Sequence, residues 1–268
     1  MTLMMISTSP TSSNRELPQE IPMNPVAAGQ LRSATTPGSR PVSWAATGRF
    51  GGVSADPFES LNLSTTVGDL QDAVIENQVR AAHLVGVSRY NVLDAKHGSQ
   101  VALVSAGGIA HECDGAVTTT PGLALMVLAA DCVPIVLADQ TNGVIAVAHC
   151  GWRGLVAGIV DATIDLMQAN GADKIQAITG PAICVSCYPV QQDCVTQLEA
   201  GLPTGIVSSI IKMSNDQRFV DVRAGVHAQL EAHGIHPSAI LECTMENPAL
   251  FSYRRDGRTG RQAMVIAL

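Results

Sequence analysis

The chain predicts an α/β fold: a mixed-sheet α/β sandwich in a single domain. Three observations carry that reading. Short apolar runs of strand character are interspersed with segments of helical apolar period. Two of the longest runs are separated by only a few residues, a hairpin spacing that makes the pairing partly antiparallel. The chain is 46% apolar and 15% charged, and its 24 glycines suit a compact domain with many tight turns. With 268 residues a substantial core can form, and with aromatics at 3% that core must rest on Ala, Val, Leu and Ile.

Residues 1–40 are rich in Ser, Thr, Pro and Asn without apolar period, so they read as a disordered tail, with Met4, Met5 and Met23 as alternative starts. No internal repeat or second linker follows, and residues 41–268 read as one catalytic domain. Asp69–Val85 reads as a helix capped by Asp69, with Val74, Val79, Ala82 and Leu84 on its apolar face. Val101–Val104 is strand-like. Leu123–Ala129, Val133–Ala138 and Gly143–Ala148 are apolar runs expected to be buried strands. Leu155–Met167 and Val220–His233 read as amphipathic helices, and Ala263–Leu268 as a last strand.

Charge and cysteine content narrow the function classes. The net charge is −7 and no basic run occurs, which argues against a nucleic-acid surface. Seven irregularly spaced cysteines do not make a disulfide scaffold and read as reduced thiols in a cytoplasm. No signal-peptide pattern is evident, and the apolar stretch Leu123–Ala130 is too short to span a bilayer. A cytoplasmic protein, monomeric or homodimeric and without membrane partners, is the expectation.

The strongest chemical signal lies in one hairpin. A loop of residues 139–142 would set Cys132 directly opposite His149, with Cβ atoms roughly 5 Å apart. A thiolate and an imidazole so placed can bind one metal ion. A two-residue turn at Asn142-Gly143 would keep both on one face but slide them roughly 13 Å apart, so the site requires the longer loop or a bulge. His97, in Lys96-His-Gly-Ser-Gln-Val101, is a loop histidine ahead of a strand. Two His and one Cys leave a zinc ion an open fourth position, the pattern of catalytic zinc. Asp131 precedes Cys132 and reads either as a partner to a ligating histidine or as a proton acceptor.

Other metal motifs are weaker. Cys184-Val-Ser-Cys187 has no second CxxC or HxxxH to complete a structural zinc site. His111-Glu112-Cys113 lacks the H-x-E spacing of zinc nucleoside deaminases, and Pro181 is not adjacent to Cys184. Arginines form a second constellation. Arg49 lies in Thr47-Gly-Arg-Phe-Gly-Gly52, Arg153 in the turn after His149, and Arg254, Arg255, Arg258 and Arg261 cluster near the C-terminus. In an acidic protein they point to a negatively charged substrate group such as phosphate.

Taken in order, Thr47-Gly-Arg-Phe-Gly-Gly52, Ser60-Leu-Asn-Leu63, His97-Gly-Ser-Gln100, Ala130-Asp-Cys-Val-Pro134, Ala148-His-Cys-Gly-Trp-Arg-Gly154, Gly180-Pro-Ala-Ile183 with Cys187-Tyr188, and Phe251–Arg261 resemble the YfiH/DUF152 family. Its members are also called purine nucleoside phosphorylase-like or "polyphenol oxidase" proteins. The resemblance covers about residues 42–268. It implies an α/β sandwich related to the cytotoxic necrotizing factor catalytic domain, with zinc on His97, Cys132 and His149. It implies phosphorolysis of adenosine, inosine and methylthioadenosine with deamination of adenosine, and for some bacterial members a role in editing peptidoglycan composition. Purine nucleoside and phosphate are thus the expected partners. Arg49, Asn62, Arg153 and Arg255 are the expected substrate and phosphate contacts, with Cys132, His149 and Asp131 as catalytic groups. Gly48 in place of a usual Thr, Lys96 in place of a hydrophobic residue, and Cys184 displaced from the usual cysteine position after Gly180-Pro depart from the family pattern.

Three rival readings remain. A Cys132 nucleophile with His149 as base needs no metal. A blue-copper-like His₂Cys set is conceivable, but a multicopper oxidase needs a histidine-rich cluster, and no His-x-His occurs in the chain. A non-enzymatic editing factor would hold a structural metal.

Overall fold

A computed structural model describes residues 25–31 and 41–268. Two six-stranded sheets stack face to face. The first runs, in spatial order, β1 (Ala27–Leu31), β2 (Val42–Ala46), β15 (Gln262–Ala267), β7 (Leu123–Ala129), β3 (Arg89–Leu93) and β5 (Gly108–Ala110). The second runs β14 (Ser238–Ala239), β10 (Gln176–Thr179), β8 (Val133–Asp139), β9 (Val144–Cys150), β6 (Gly115–Thr118) and β4 (Val101–Leu103). Both are mixed: β3 pairs parallel with β5 and β7, and β4 with β6, while β2, β15 and β7, and β10, β8, β9 and β6, pair antiparallel. A small third sheet joins β11 (Pro189–Val190), β13 (Gln217–Val220) and β12 (Ile211–Ser214).

Strand periodicity explains the layering. In β7 and β15, Leu125, Val127, Met264 and Ile266 face Val136, Ala138, Ile145 and Val147 of the second sheet, forming the central core. The alternate residues Ala124, Met126 and Val265 face outward and pack with Leu61, Leu63 and Ala81, the last on α1 (Gln71–His83). On the far side, Ile135, Leu137, Val144 and Ala146 pack against α2 (Trp152–Ala157), α3 (Ile159–Ala169), α4 (Gln192–Gly201), α5 (Thr204–Ile210) and α6 (Val222–Ala232). Strands covered on both faces need no polar alternation, which is why they read as continuous apolar runs.

Several expectations change in detail. Ala27–Leu31, inside the expected tail, is an edge strand held by antiparallel pairing to β2, with Gly29 opposite Trp44. The rest of that expectation lies outside the described residues. The helix expected from Asp69 starts at Gln71. Asp69 does not cap it, because its carboxylate is taken up by Asn62 Nδ2 and the Leu70 N–H. The helix expected over Leu155–Met167 is two helices, broken at Gly158, whose φ of 80° is left-handed. Val220 closes β13, so the helix expected from Val220 begins at Val222.

The hairpin loop is 140–143, not 139–142, since Asp139 pairs with Val144 and Val133 with Cys150. The Asp139 carboxylate sets this register. It accepts the backbone N–H groups of Thr141, Asn142, Asp173 and Lys174 at 2.7–3.0 Å. His149 therefore faces Pro134, and Cys132, just before β8, falls beside Gly151. The offset of two residues is one strand period, so Cys132 and His149 keep the same face. Among the described residues no helix is long and apolar enough to cross a membrane.

Candidate metal centre and cavity

His97 lies on the connection from β3 to β4 and Cys132 on that from β7 to β8, each a crossing between the two sheets. His149 is the penultimate residue of β9. The three converge at one end of the sandwich, with one ligand atom of each within 4.8 Å of the others. Cys132 Sγ is 3.8 Å from His97 Nε2, and the two imidazoles meet edge to face at 4.8 Å and 85°. An N, N, S donor set so placed can hold a metal ion. Gly151 leaves room for it: a Cβ there would lie 2.9 Å from Cys132 Sγ and 3.2 Å from His97 Cδ2.

The residue that organises this centre is Asp114, immediately before β6, which the sequence reading missed. Its carboxylate is 1% exposed. Oδ1 accepts the His97 N–H at 2.8 Å and meets His149 Nδ1 at 2.9 Å. Oδ2 accepts the N–H groups of Lys96 and Gly98 at 3.0 and 2.8 Å. Those bonds hold the 96–98 loop, where His97 has a left-handed φ of 64°. They also place the proton of neutral His149 on Nδ1 and turn Nε2 toward Cys132. Burial pushes the Asp114 carboxyl up, but the His149 hydrogen bond and the Gly98 and Lys96 N–H groups outweigh it and hold it below the usual carboxylate range.

Cys132 and His149 are electrostatically matched. Burial pushes the Cys132 thiol up, but the charge and hydrogen bond of His149, with a further bond to His97, lower it to about 6. Burial disfavours the His149 imidazolium, but the Cys132 thiolate and the Asp114 hydrogen bond raise it to about 9. Cys150 is no competitor: it sits on the opposite face of β9 in the helix-side core, and burial drives its thiol well above the ordinary value.

The cluster forms one wall of a cavity of about 580 Å³. Trp152, Tyr188 and Tyr253 line it, and three arginines, Arg153, Arg254 and Arg261, bring positive charge. Arg153 stacks on Trp152 at 4.3 Å and Arg254 on Tyr188 at 4.9 Å. Of the expected phosphate contacts, Arg153 alone lines the cavity; Arg49, Asn62 and Arg255 are outside its lining. Arg49 donates to the Glu59 carbonyl, pairs with Asp256 and lies over Phe251. Asn62 is fully buried and ties together Ser64, Asp69 and the Arg261 N–H. The Arg255 guanidinium is consumed by the carbonyls of Thr244, Met245, Asn247 and Leu250 and by Asp256.

Asp131 lines the cavity, but its carboxylate accepts from Thr244 Oγ1 at 2.6 Å and from the Arg254 N–H at 2.7 Å. The carboxylate that meets a histidine of the cluster is that of Asp114, not Asp131. Asp131, with a left-handed φ of 107°, instead ties the ligand-bearing crossover to the first turn of α7 (Tyr253–Asp256).

The family model for the multi-copper polyphenol oxidoreductase laccase family matches residues 43–268. The chain belongs to this family. Among its relatives, a purine nucleoside phosphorylase of Streptomyces coelicolor is 45% identical over 230 residues, covering 83% of this chain and 93% of that protein. One of Streptomyces griseus is 42% identical over 250 residues, covering 89% and 98%. The fold agrees with YlmD from Geobacillus stearothermophilus, at a TM-score of 0.80 and 30% identity over 91% of this chain and 98% of that one. It agrees also with YfiH of Bacillus licheniformis, at 0.79 and 27% over 85% and 92%. The YfiH likeness inferred from the motifs is thus the family's own fold, a mixed α/β sandwich in a single domain.

Proposed function

We propose that this family member is a zinc-dependent purine nucleoside phosphorylase that transfers ribose from a purine to inorganic phosphate. The observation that carries the reading is the convergence of His97, Cys132 and His149 on the wall of a cavity lined by three arginines and three aromatic rings. The relatives' names supply the reaction class.

The donor set fits zinc. Two imidazoles and one thiolate are the ligand number and type of an open catalytic zinc site. Copper oxidase chemistry fits less well. All seven histidines of the chain are among the described residues, and no histidine-rich cluster for dioxygen forms among them. When bound by His97, Cys132 and His149, zinc supplies Lewis acidity to an oxygen in the cavity. The chain's own groups do the rest. Asp114 holds His149 in the tautomer that exposes Nε2. Trp152, Tyr188 and Tyr253 offer faces on which a purine can stack. Arg153, Arg254 and Arg261 take the phosphate role expected of Arg49 and Arg255, holding the nucleophile near the ribose and countering its charge. Asp131 acts as a positioning residue for Arg254 rather than as a proton acceptor.

Purified protein with adenosine, inosine or methylthioadenosine, with and without phosphate, tests this reading. Phosphate-dependent release of the free base, lost in Cys132→Ala, is the expected result. Inosine formed from adenosine without phosphate would add the deaminase activity. No turnover of any purine nucleoside overturns the proposal. A metal-free Cys132–His149 hydrolase is the second reading, favoured by the contact of the sulfur with two imidazoles. Turnover that survives exhaustive chelation but not thiol alkylation would select it.

A further inference from the structure

A second cluster lies apart from the first. Cys184 and Cys187 flank a single 3₁₀ turn, Val185–Cys187, closed by the Cys187 N–H to the Cys184 carbonyl at 3.1 Å. Cys243 and Glu246 flank another turn, closed by the Asn247 N–H to the Cys243 carbonyl at 3.0 Å. Ala182 and Cys243 form a parallel bridge, with the Ala182 N–H to the Glu242 carbonyl and the Thr244 N–H to the Ala182 carbonyl, which sets the two turns side by side. The result is a C-x-x-C facing a C-x-x-E. One ligand atom of each of the four residues lies within 4.8 Å of the others.

We propose that Cys184, Cys187, Cys243 and Glu246 form a second, structural zinc site. Zinc takes four ligands tetrahedrally, with Zn–S of about 2.3 Å and Zn–O of about 2.0 Å, so its ligand atoms lie about 3.5–3.8 Å apart. Glu246 Oε1 is 3.5 Å from Cys187 Sγ and 3.8 Å from Cys184 Sγ without any ion present. The Cys184 N–H reaches Cys243 Sγ at 3.3 Å, the kind of outer bond that orients a thiolate ligand. The sequence hid the site because a lone CxxC has no second cysteine pair; the fourth ligand is a carboxylate. Four protein ligands leave no open position, so this ion is a clamp. It joins the segment leading to Tyr188 in the cavity wall to the turn whose Thr244 holds Asp131.

Full-length protein produced in zinc medium and handled without oxygen provides the test, with metal content measured by elemental analysis. Cys132→Ala, which disables the first site, is expected to keep one tightly held zinc per chain. Cobalt substituted into that variant is expected to show the intense thiolate charge-transfer absorption of three sulfur ligands, which the first site without Cys132 cannot produce. Cys184→Ser added to Cys132→Ala is expected to abolish that signature. Because a cysteine variant can misfold, Glu246→Gln at an exposed position serves as the mild test, with zinc held at least tenfold more weakly in chelator competition and the circular dichroism unchanged. Cys132→Ala protein with no zinc, a cobalt spectrum without thiolate bands, or a mass short by two hydrogens from a Cys184–Cys187 disulfide would overturn the proposal.

Discussion

Replacing Asp114 by Asn tests the central claim about the metal centre with the least change in shape. The carboxylate accepts from two donors on each oxygen: His97 N and His149 Nδ1 on Oδ1, Lys96 N and Gly98 N on Oδ2. An amide must turn its NH₂ toward one pair. Toward Oδ2's position, it orphans the part-buried N–H groups of Lys96 and Gly98. Toward Oδ1's position, it orphans the His97 N–H and drives the His149 proton to Nε2, where the ring can no longer bind a metal. Each unsatisfied buried donor costs about 1–3 kcal/mol. The variant is therefore expected to lose about 2–4 kcal/mol of stability, a fall in Tm of roughly 5–15 °C at this chain length. Loss of an outer partner typically weakens metal binding about 10–100-fold. Differential scanning calorimetry of metal-free protein gives the first quantity and chelator competition the second. An Asp114→Asn protein that melts early but binds zinc as tightly as the parent would place the amide nitrogen at the Oδ2 position, with the His149 tautomer kept. Unchanged values of both would refute the hydrogen-bond geometry itself.

Further outcomes follow from the same contacts. Gly151→Ala places a methyl 2.9 Å from Cys132 Sγ at a φ of −87° that alanine accepts, so isothermal titration should show zinc affinity falling at least about tenfold while the fold persists. Arg261→Gln and Arg153→Gln are expected to raise the KM for phosphate in steady-state assays by about tenfold or more, the loss of a charged hydrogen bond. Arg255→Gln is expected to lower Tm instead, because its guanidinium holds four carbonyls rather than lining the cavity. Asp139 is held below its usual pKa: burial would raise it, but the N–H groups of Asp173 and Asn142, the Asn142 side chain and the Lys174 N–H outweigh that. Because the folded value is depressed, this stabilisation is fully present above the unfolded value of about 3.9 and is lost as pH falls through the folded value. Asp139→Asn is thus expected to cost about 2–4 kcal/mol in urea unfolding at pH 7, and the gap to the parent should narrow steadily below about pH 4.

The convergence of His97, Cys132 and His149 was legible because two of them flank one hairpin and the third sits in a loop ahead of a strand. Asp114 was not. In Cys113-Asp-Gly115 it looks like a turn aspartate, and its role arises from β6 lying beside β9 and from the crossover that returns the 96–98 loop to it. The register of the hairpin was misjudged by two residues because the carboxylate that sets it, Asp139, gathers N–H groups from residues 173 and 174 as well as from its own loop. Which of the C-terminal arginines meets the cavity could not be read from spacing. The short α7 and the reversal at Gly257, with φ of 66°, send Arg254 and Arg261 one way and Arg255 the other. The two helices of the expected Leu155–Met167 segment carried a visible warning in Gly158, since glycine inside a helical pattern costs about 1 kcal/mol relative to alanine.

Two of the three candidate ligands, His97 and Cys132, ride on connections that pass from one sheet to the other, and the third, His149, belongs to the second sheet. The set is therefore complete only once the layers have docked in register. The β8–β9 hairpin alone brings Cys132 and His149 to one face, but His97 joins them only when the β3–β4 crossover is in place, so an ion held by all three would be fully ligated only in the docked sandwich. Sliding of one layer over the other would separate His97 from the other two and weaken such a site. Retention of a metal at these three residues would then gauge how firmly the two sheets stay locked together.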